Sequence, residues 1–285
     1  MYFILGTQGQ LGQLFIEALQ KRAMPFFAPA EKEADILNLP LLRSLISQSG
    51  ATAVINCAAY TNVEKAEDEE EAAYAVNVRG ARNLGEICAG LGITAVHFST
   101  DYVFSGNTCR PYREEDIAQP LSVYGKTKLQ GEQALLESGA NSLICRTSWL
   151  YSFAGRNFYA TMRALGAQKS DLNVVCDQIG TPTYAPHLVE YVLRILPQFG
   201  PRHSGVYHLG DEGAASWYDF AWTIMRQEGF GCRVHPIRSE EYPTKAKRPP
   251  FSVLSKDKVK KTFGIDLYHW MQGVVSCQQA FAKIS

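Results

Sequence analysis

Tyr124 and Lys128 lie four residues apart, a spacing that places both side chains on one face of a helix. Among the 14 tyrosines of the chain, Tyr124 alone has a lysine at this spacing. A free phenol has a pKa of about 10 and exchanges protons poorly at neutral pH, but a nearby ammonium is expected to lower that pKa. We therefore interpret Tyr124 as a candidate general acid, with an inert surface pair of tyrosine and lysine as the alternative.

A threonine adds a second hydroxyl to this candidate site. Thr100 follows the apolar run of a predicted strand, so its side chain is expected at the carboxyl edge of a parallel sheet, where ligands bind in doubly wound folds. Its hydroxyl can donate a hydrogen bond to a carbonyl oxygen. Together, Thr100, Tyr124 and Lys128 would supply a proton and an electrophile to a hydride-transfer reaction.

Three glycines, Gly6, Gly9 and Gly12, follow the first predicted strand and lead into a predicted helix. In dinucleotide-binding folds such glycines allow a tight turn, close approach to a pyrophosphate and close packing of helix on strand. Backbone N–H groups and the positive end of the helix then bind phosphate without a lysine. We therefore predict a dinucleotide site rather than an ordinary glycine-rich turn. The loop lacks the Gly-Lys-Ser/Thr ending of an NTPase P-loop, which excludes that class.

The choice between NADH and NADPH stays open in the sequence. An acidic residue after the second strand would bind the ribose of NADH, whereas an arginine there would accept the 2′-phosphate of NADPH. Residues 29–35 contain acidic residues and a lysine but no arginine, which slightly favours NADH. We expect NADPH or NADH as the cofactor.

Short β-rich runs alternate with amphipathic helical stretches in the first half of the chain, which predicts a parallel sheet with helices on both faces. Strands are predicted at 2–5, 25–28, 53–56, 95–98 and 142–146, and helices at 12–21, 41–47, 77–89 and 124–136. The predicted fold class is α/β, a doubly wound parallel sheet of the Rossmann type with a second, smaller substrate-binding lobe.

The alternation weakens beyond about residue 150, where eight prolines interrupt it. We therefore predict a dinucleotide-binding Rossmann domain over 1–148 and a smaller lobe over 149–285. The two are expected to interleave, because a segment at about 184–210 is predicted to return to the first domain.

Charge and composition exclude several classes of protein. The 28 Lys and Arg residues balance 28 Asp and Glu residues, so the chain lacks the basic excess with which many nucleic-acid binders neutralise phosphates. The seven cysteines form no Cys-x-x-Cys pair, and nowhere do 18 apolar residues run together. We expect a cytoplasmic protein with reduced thiols that binds neither nucleic acid nor a membrane.

Six sequence blocks resemble, in order, the signature motifs of the dTDP-4-dehydrorhamnose reductase family of extended short-chain dehydrogenases/reductases. They are Gly-Thr-Gln-Gly-Gln-Leu-Gly at 6–12, Asn-Cys-Ala-Ala-Tyr-Thr at 56–61, Ser-Thr-Asp-Tyr-Val-Phe-Ser-Gly at 99–106, Tyr-Gly-Lys-Thr-Lys-Leu-Gln-Gly-Glu at 124–132, Arg-Thr-Ser-Trp at 146–149 and Asp-Gln-Ile-Gly-Thr-Pro-Thr at 177–183. The resemblance covers nearly the whole chain. The blocks at 99–106 and 124–132 are specific, whereas the glycine loop is shared by the whole superfamily.

The resemblance implies reduction of the C4 keto group of dTDP-4-dehydro-6-deoxy-L-mannose to give dTDP-L-rhamnose. Tyr124 would give a proton to the C4 oxygen, Lys128 would hold the cofactor ribose and tune Tyr124, and Thr100 would take the third position of the catalytic triad. The lobe over 149–285 would bind the dTDP-linked nucleotide-sugar. Base and sugar specificity reside in this lobe, and they rest on the resemblance alone.

Cofactor and substrate contacts carry over from the family residue by residue. With the loop glycines and Ala58 of the second block, the predicted cofactor site comprises Gly6, Gly9, Gln10, Leu11, Gly12, Asp35, Ile36, Ala58, Ala59, Tyr60, Thr61, Phe98, Tyr124 and Lys128. The predicted substrate contacts are Thr100, Asp101, Tyr124 and Trp149, with Arg248 as a diphosphate ligand because guanidinium binds phosphate bidentately. Three alternatives stay open: Trp149 as filler of the lobe interface, Asp35 as a helix N-cap and Arg248 as a structural ion-pair residue.

One departure from the family concerns a metal. Some members dimerise through a magnesium ion held by glutamates, and this chain has Leu14 and Pro186 at those positions. Neither side chain can ligate a hard cation. We therefore predict no metal and a monomer.

Other functions remain as alternatives to the reductase. One keeps the fold but changes the sugar or makes the protein an epimerase or dehydratase; the absence of a glutamate after Asp101 disfavours a dehydratase. Another is a non-catalytic subunit, because a relative with the same blocks is the regulatory subunit of methionine adenosyltransferase. The intact Thr100, Tyr124 and Lys128 favour catalysis.

Overall fold

The computed structural model describes residues 1–283, so the last two residues of the predicted second lobe lie outside the described part. The strands are β1 (Tyr2–Leu5), β2 (Phe26–Phe27), β3 (Ala53–Asn56), β4 (Thr94–Thr100), β5 (Asn141–Thr147), β6 (Leu150–Tyr151), β7 (Asp171–Val175), β8 (Ile179–Gly180), β9 (Thr183–Tyr184), β10 (Gly205–His208), β11 (Ala215–Ser216) and β12 (Arg233–Ile237). The α-helices are α1 (Gln10–Lys21), α2 (Leu39–Ser49), α3 (Val63–Ala66), α4 (Glu70–Tyr74), α5 (Gly80–Leu91), α6 (Val123–Glu137), α7 (Phe158–Gly166), α8 (Ala185–Ile195), α9 (Trp217–Glu228), α10 (Asp257–Phe263) and α11 (Trp270–Ala282).

Six parallel strands form the central sheet, in the order β10-β5-β4-β3-β1-β2. Strands β3 to β5 are buried almost throughout, as expected for a parallel sheet covered on both faces. The order runs outward from β1 in both directions, which confirms the predicted doubly wound fold. Strands β1 and β3 match their predicted bounds, and β10 adds a sixth strand to the five predicted.

Two hydrophobic clusters cover the two faces of this sheet. On one face, α1 and α8 pack together over Ile4, Ile55 and Leu143. On the other face, α2 and α5 cover Phe3 and Val54. Helix α8 and strand β10 thus belong to the packing of the central sheet, although they follow β6 to β9 in the chain.

The helix predicted over 77–89 differs from the observed one in its first turns. Residues Ala75–Arg79 form a π-helical turn, and the α-helix begins only at Gly80. Single π turns inside helices commonly occur at functional sites. Here the turn directs Asn77 towards helix α6, where the Asn77 Nδ2 atom donates a hydrogen bond to Thr127 Oγ1 at 3.1 Å.

The smaller lobe packs α7, α9 and α11 around an aromatic core that includes Tyr151, Tyr159 and Phe220. Its short strands pair as three two-stranded sheets, β8 with β11, β7 with β12 and β6 with β9. All seven cysteines are free thiols. Within residues 1–283, no helix is long and apolar enough to cross a membrane.

Candidate active site

The glycine loop fits tightly between strand β1 and the segment after β3. Gly6 has a φ of +71°, and a Cβ atom there would lie 2.5 Å from the backbone nitrogen of Ala58. A Cβ atom at Gly12 would lie 2.2 Å from the carbonyl oxygen of Gly6. Gly9 stands at the N-cap of α1, so no side chain satisfies the first backbone N–H groups of that helix. The loop can therefore present those N–H groups to an anion.

A cavity of about 580 Å³ opens at the carboxyl edge of the central sheet, beside this loop. Its walls contain residues from both predicted sites. From the cofactor set these are Gly9, Gln10, Leu11, Ala59, Thr61, Phe98, Tyr124 and Lys128, and from the substrate set Thr100, Asp101, Tyr124 and Trp149. The structure therefore brings together the proposed catalytic triad and the phosphate-binding loop, which are more than 80 residues apart in the chain.

Lys128 is almost completely buried, with 2% of its surface exposed. Its Nζ atom donates a hydrogen bond to the carbonyl oxygen of Phe98 at 2.5 Å. Burial lowers the pKa of Lys128 to about 8, although the charge of Glu132 acts in the opposite direction. The ammonium is therefore held at the cavity wall by the backbone of β4.

Tyr124 is half-buried at the wall of the same cavity. Burial raises the pKa of Tyr124 to about 12; a hydrogen bond with Thr100 lowers it, and the charge of Asp101 raises it. The expectation of a lowered pKa for Tyr124 is therefore wrong. The physical reason is that loss of hydration dominates. Tyr124 is a protonated phenol at neutral pH, the form that can donate a proton.

A cap, a neighbouring carboxylate and a close helix contact hold helix α6, which carries Tyr124 and Lys128. Ser122 Oγ accepts a hydrogen bond from the backbone nitrogen of Gly125 at 3.2 Å, which caps the helix. Glu67 Oε1 accepts another from the backbone nitrogen of Val123 at 2.8 Å. At Gly131, a Cβ atom would lie 2.2 Å from the carbonyl oxygen of Asn77, so only glycine permits this close approach of the two helices. The position of Tyr124 is thus determined by contacts outside its own motif.

A buried ion pair lies beneath Thr100. Glu132 on α6 accepts hydrogen bonds from Arg146 on β5, the shortest from Nη2 at 2.7 Å. The same carboxylate accepts a hydrogen bond from Ser99, the neighbour of Thr100 on β4. This network joins β4, β5 and α6, the three elements that carry the site.

Several predicted cofactor residues lie outside the cavity walls. Gly6 and Gly12 shape the loop from behind, and Ala58 packs against Gly6. The hydroxyl of Tyr60 donates a hydrogen bond to Glu69 at 2.5 Å.

The Asp35-Ile36 pair also lies away from the cavity walls. Asp35 is exposed and accepts a hydrogen bond from the backbone nitrogen of Leu37, whereas Ile36 is buried against Gly80. Asp35 is not the N-cap of a helix, because Asn38 caps α2. That alternative for Asp35 is therefore wrong.

Arg248 lies beside a second cavity of about 480 Å³, which shares Phe158 and Trp217 with the first. Its Nη2 atom forms an ion pair with Glu64 at 2.9 Å. The structure thus shows the ion pair that the structural alternative for Arg248 predicts. A role in binding diphosphate stays a prediction.

Arg156 and Trp217 are among the wall residues of the first cavity that were missed in the sequence. Arg156 lies in the loop before α7, and Trp217 begins α9 and stacks on Trp149 with ring centroids 3.5 Å apart. Trp149 has a φ of +45°, a conformation that is rare for a large residue. No local pattern marks Arg156. The Ser-x-x-Asp capping box at 216–219 does predict a helix start beside Trp217, but not its stacking on Trp149.

Asn157 connects the loop of Arg156 to the glycine loop. Its Nδ2 atom donates hydrogen bonds to Gln10 Oε1 at 3.2 Å and to the carbonyl oxygen of Ser152 at 2.9 Å. Its Oδ1 atom caps α7 by accepting from the nitrogen of Ala160. Arg156 is therefore positioned opposite the phosphate-binding loop.

Comparison with known proteins gives consistent matches over nearly the full length. The family model described as "RmlD substrate binding domain" matches residues 1–283. A dTDP-4-dehydrorhamnose reductase of Sinorhizobium fredii is 40% identical over 277 residues, covering 93% of each chain. A crystal structure of such a reductase from Clostridium acetobutylicum is similar with a TM-score of 0.94 and 36% identity, covering 99% of each chain. A structure from Bacillus anthracis, in complex with NADP, gives a TM-score of 0.93 and 32% identity, covering 100% of this chain and 99% of that chain.

Proposed function

The chain belongs to the RmlD substrate binding domain family, and from this membership we infer that it reduces the C4 keto group of dTDP-4-dehydro-6-deoxy-L-mannose to give dTDP-L-rhamnose. The activity is that of an NAD(P)H-dependent dTDP-4-dehydrorhamnose reductase. The observation that supports this function most directly is one cavity lined by Thr100, Tyr124, Lys128 and the glycine loop.

The loop and its surroundings fit a nicotinamide dinucleotide. Gly6 and Gly12 sit where any Cβ atom would collide with backbone, and the uncapped N–H groups of α1 suit a diphosphate. We propose that Gly9, Gln10 and Leu11 bind this diphosphate and that Asp35 and Ile36 lie against the adenosine. When bound, NAD(P)H supplies the hydride that reduces the C4 carbon.

We propose that Tyr124 donates the proton that the C4 oxygen takes up. Its raised pKa keeps the phenol protonated at neutral pH, so the proton is present before the reaction begins. The Thr100 hydroxyl, on the same cavity wall as Tyr124, would donate a hydrogen bond to the same oxygen of the sugar. Lys128, held by the Phe98 carbonyl, would hold the ribose of the cofactor and supply positive charge beside the developing phenolate.

The substrate needs a cation for its diphosphate and a surface for its sugar. Besides Lys128, Arg156 is the one basic residue among the described residues that line the first cavity. We propose that Arg156 binds a diphosphate there, with Asp101 and the stacked pair Trp149 and Trp217 forming the sugar site. The second cavity, with Arg248 at its edge, would take the rest of the nucleotide.

We further propose two lobes and a monomer. Residues 1–148 with about 184–210 would hold the cofactor, supported by the place of α8 and β10 in the central sheet packing. The remaining residues would hold the nucleotide-sugar. Leu14 and Pro186 border a common surface cavity and themselves offer no carboxylate to a bridging metal. The two glutamates of that cavity, Glu17 and Glu190, form ion pairs with Lys21 and Arg194. Light scattering should give the same monomer mass with and without a chelator; a chelator-sensitive dimer would contradict the proposal.

The test is oxidation of NADH and NADPH, followed by absorbance, with the dTDP-keto-sugar made in situ. Tyr124→Phe should abolish turnover and leave cofactor binding nearly unchanged, whereas the matched variant Tyr74→Phe, outside the cavity, should keep full activity. Retained activity in Tyr124→Phe would refute the proton-donor role. No oxidation of either cofactor by the unaltered protein would favour the regulatory-subunit alternative.

A further inference from the structure

A carboxyl group lies buried next to the proposed proton donor. Asp101 follows Thr100 directly, lines the first cavity and has 1% of its surface exposed. Its Oδ1 atom accepts a hydrogen bond from Thr100 Oγ1 at 3.2 Å. Its Oδ2 atom is buried without a hydrogen bond of normal geometry within the described residues 1–283, although the Ser252 hydroxyl also acts on the carboxyl. A buried carboxylate is costly unless the group can also hold a proton.

Burial brings the pKa of Asp101 into the range where the carboxyl can exchange a proton at neutral pH. Burial raises the pKa of Asp101 to about 7, against the effects of Ser252, Thr100 and the Lys256 ammonium. Lys256 is itself buried, with 4% exposed, and the charge of Asp101 raises the pKa of two neighbouring phenols, Tyr102 and Tyr124. Both the carboxylic acid and the carboxylate of Asp101 are therefore populated near neutral pH.

Thr100 connects this carboxyl to Tyr124. Its hydroxyl donates a hydrogen bond to Asp101 Oδ1, lines the same cavity as Tyr124 and lowers the pKa of that phenol, but it carries a single proton. Two arrangements are possible. Either Tyr124 donates to Thr100 and Thr100 donates to a carboxylate, or a carboxylic acid donates to Thr100 and Thr100 donates to a phenolate. The two arrangements differ by a shift of protons along one chain of three oxygens.

We propose that Asp101 returns a proton to Tyr124 through the Thr100 hydroxyl after each reduction. The Thr100 O–H bond breaks as its proton passes to the Tyr124 phenolate, and the Asp101 O–H bond breaks as its proton passes to Thr100 Oγ1. The products are a phenol, a hydroxyl and a carboxylate, so the negative charge moves from Tyr124 to Asp101. Lys256 stabilises that charge. Asp101 then takes a proton from water when product leaves the cavity that it lines.

The proposal rests on the proton-donor role of Tyr124 proposed above. Thr100 contacts the Asp101 carboxyl directly, which gives the phenol a proton source within the protein itself.

The experiment compares the first turnover with later turnovers in Asp101→Asn, which keeps the shape of the side chain but cannot supply the acid proton. Rapid mixing of substrate with enzyme and reduced cofactor gives both rates. The nucleotide-sugar is used at a saturating concentration, so that a weakened sugar contact of Asp101 does not limit the rate. The first turnover then uses the proton already on Tyr124, and its rate should stay within about twofold of that of the unaltered enzyme. Later turnovers should slow by roughly 10²-fold, the lower end of what a positioned acid contributes. The time course of cofactor oxidation should therefore show a burst of one turnover per active site followed by a slow phase.

Controls separate this role from others. Asp257→Asn, at an exposed position, should behave as the unaltered enzyme. Thr100→Ser should retain fast later turnovers because it keeps the hydroxyl, whereas Thr100→Val should lose them. The burst amplitude reports the fraction of correctly folded sites, so a variant that fails to fold is recognised.

Three results would overturn the proposal. One is a first turnover of Asp101→Asn slowed as much as later ones, which would show that Asp101 only positions Thr100. Another is an increased KM with unchanged kcat, which would show a substrate contact alone. The third is an Asp101→Asn variant that turns over at the unaltered rate. If instead Tyr124→Phe kept its first turnover, the proposed function of Tyr124 would fail independently of Asp101.

Discussion

Replacing Arg146 by methionine should destabilise the protein strongly, because it leaves the Glu132 carboxylate buried without its cation. Arg146 contacts Glu132 through three hydrogen bonds, Nε to Oε1 at 2.9 Å, Nε to Oε2 at 3.2 Å and Nη2 to Oε2 at 2.7 Å. Glu132 has 2% of its surface exposed, so water cannot replace these bonds in the folded state. Breaking such a buried pair costs about 3–5 kcal/mol.

The double variant Arg146→Met with Glu132→Met is expected to be less destabilised than either single variant. It removes both charges, and apolar replacement of a whole buried pair is often neutral. The Ser99 hydroxyl loses its acceptor, which costs about 1–3 kcal/mol. The free energy of unfolding of the double variant should therefore be about 1–3 kcal/mol lower than that of the unaltered protein.

Urea denaturation should be followed by circular dichroism and by tryptophan fluorescence. All four tryptophans lie beyond residue 148, so coincidence of the two curves tests whether both parts of the chain unfold together, as a free energy of unfolding requires. If the free energy of unfolding of Arg146→Met is lower by less than about 1 kcal/mol, the reasoning is refuted, because an unpaired buried charge costs several times that amount. The reasoning is also refuted if the double variant loses as much free energy of unfolding as the two single variants together, because the two charges would then act independently.

Three further predictions concern the site. Gly12→Ala should lose cofactor affinity by at least about tenfold in a fluorescence titration with NADPH, because its Cβ atom would lie 2.2 Å from the Gly6 carbonyl oxygen, whereas Gly231→Ala, with open space around it, should bind normally. Arg156→Gln should raise the KM for the nucleotide-sugar or the Kd for the cofactor by roughly 10–100-fold, because one to two charge-assisted hydrogen bonds are lost. Separate titrations with each ligand show which diphosphate Arg156 binds. If neither constant changes, Arg156 is not part of the site. Activity should fall as pH rises through about 8, because Lys128 loses its proton there. Lys256, whose pKa is also about 8, is the control, and Lys256→Gln should show the same fall in activity. If the fall is absent in Lys256→Gln, it arises from Lys256 and not from Lys128.

Features that depend on neighbours in the chain were predictable. The strands Tyr2–Leu5 and Ala53–Asn56 have the predicted bounds, because short apolar β-rich runs between turn signals leave little choice. The placement of Tyr124 and Lys128 on α6 follows from helical geometry alone. The motif blocks also predicted the family, which the comparisons confirm.

Features that depend on distant neighbours were not predictable. Arg156 and Trp217 reach the cavity through the packing of α7 and α9, and no local pattern records that packing. Arg248 has the chemistry of a phosphate ligand, yet in this structure it pairs with Glu64 from a different part of the chain. The π turn at Ala75–Arg79 allows Asn77 to bridge the Tyr60 loop and α6, a contact invisible in the periodicity.

The sequence by itself predicted the glycine loop and the shared helix face of Tyr124 and Lys128, because these spacings act through local backbone geometry. Only the tertiary structure decided how those groups titrate. A lysine four residues away predicted a lowered pKa for Tyr124, but burial of the phenol raises it to about 12 and the ammonium is held by the carbonyl oxygen of Phe98. The physical reason is that hydration and long-range charge depend on what packs around a group, and that is set by residues far away in the chain.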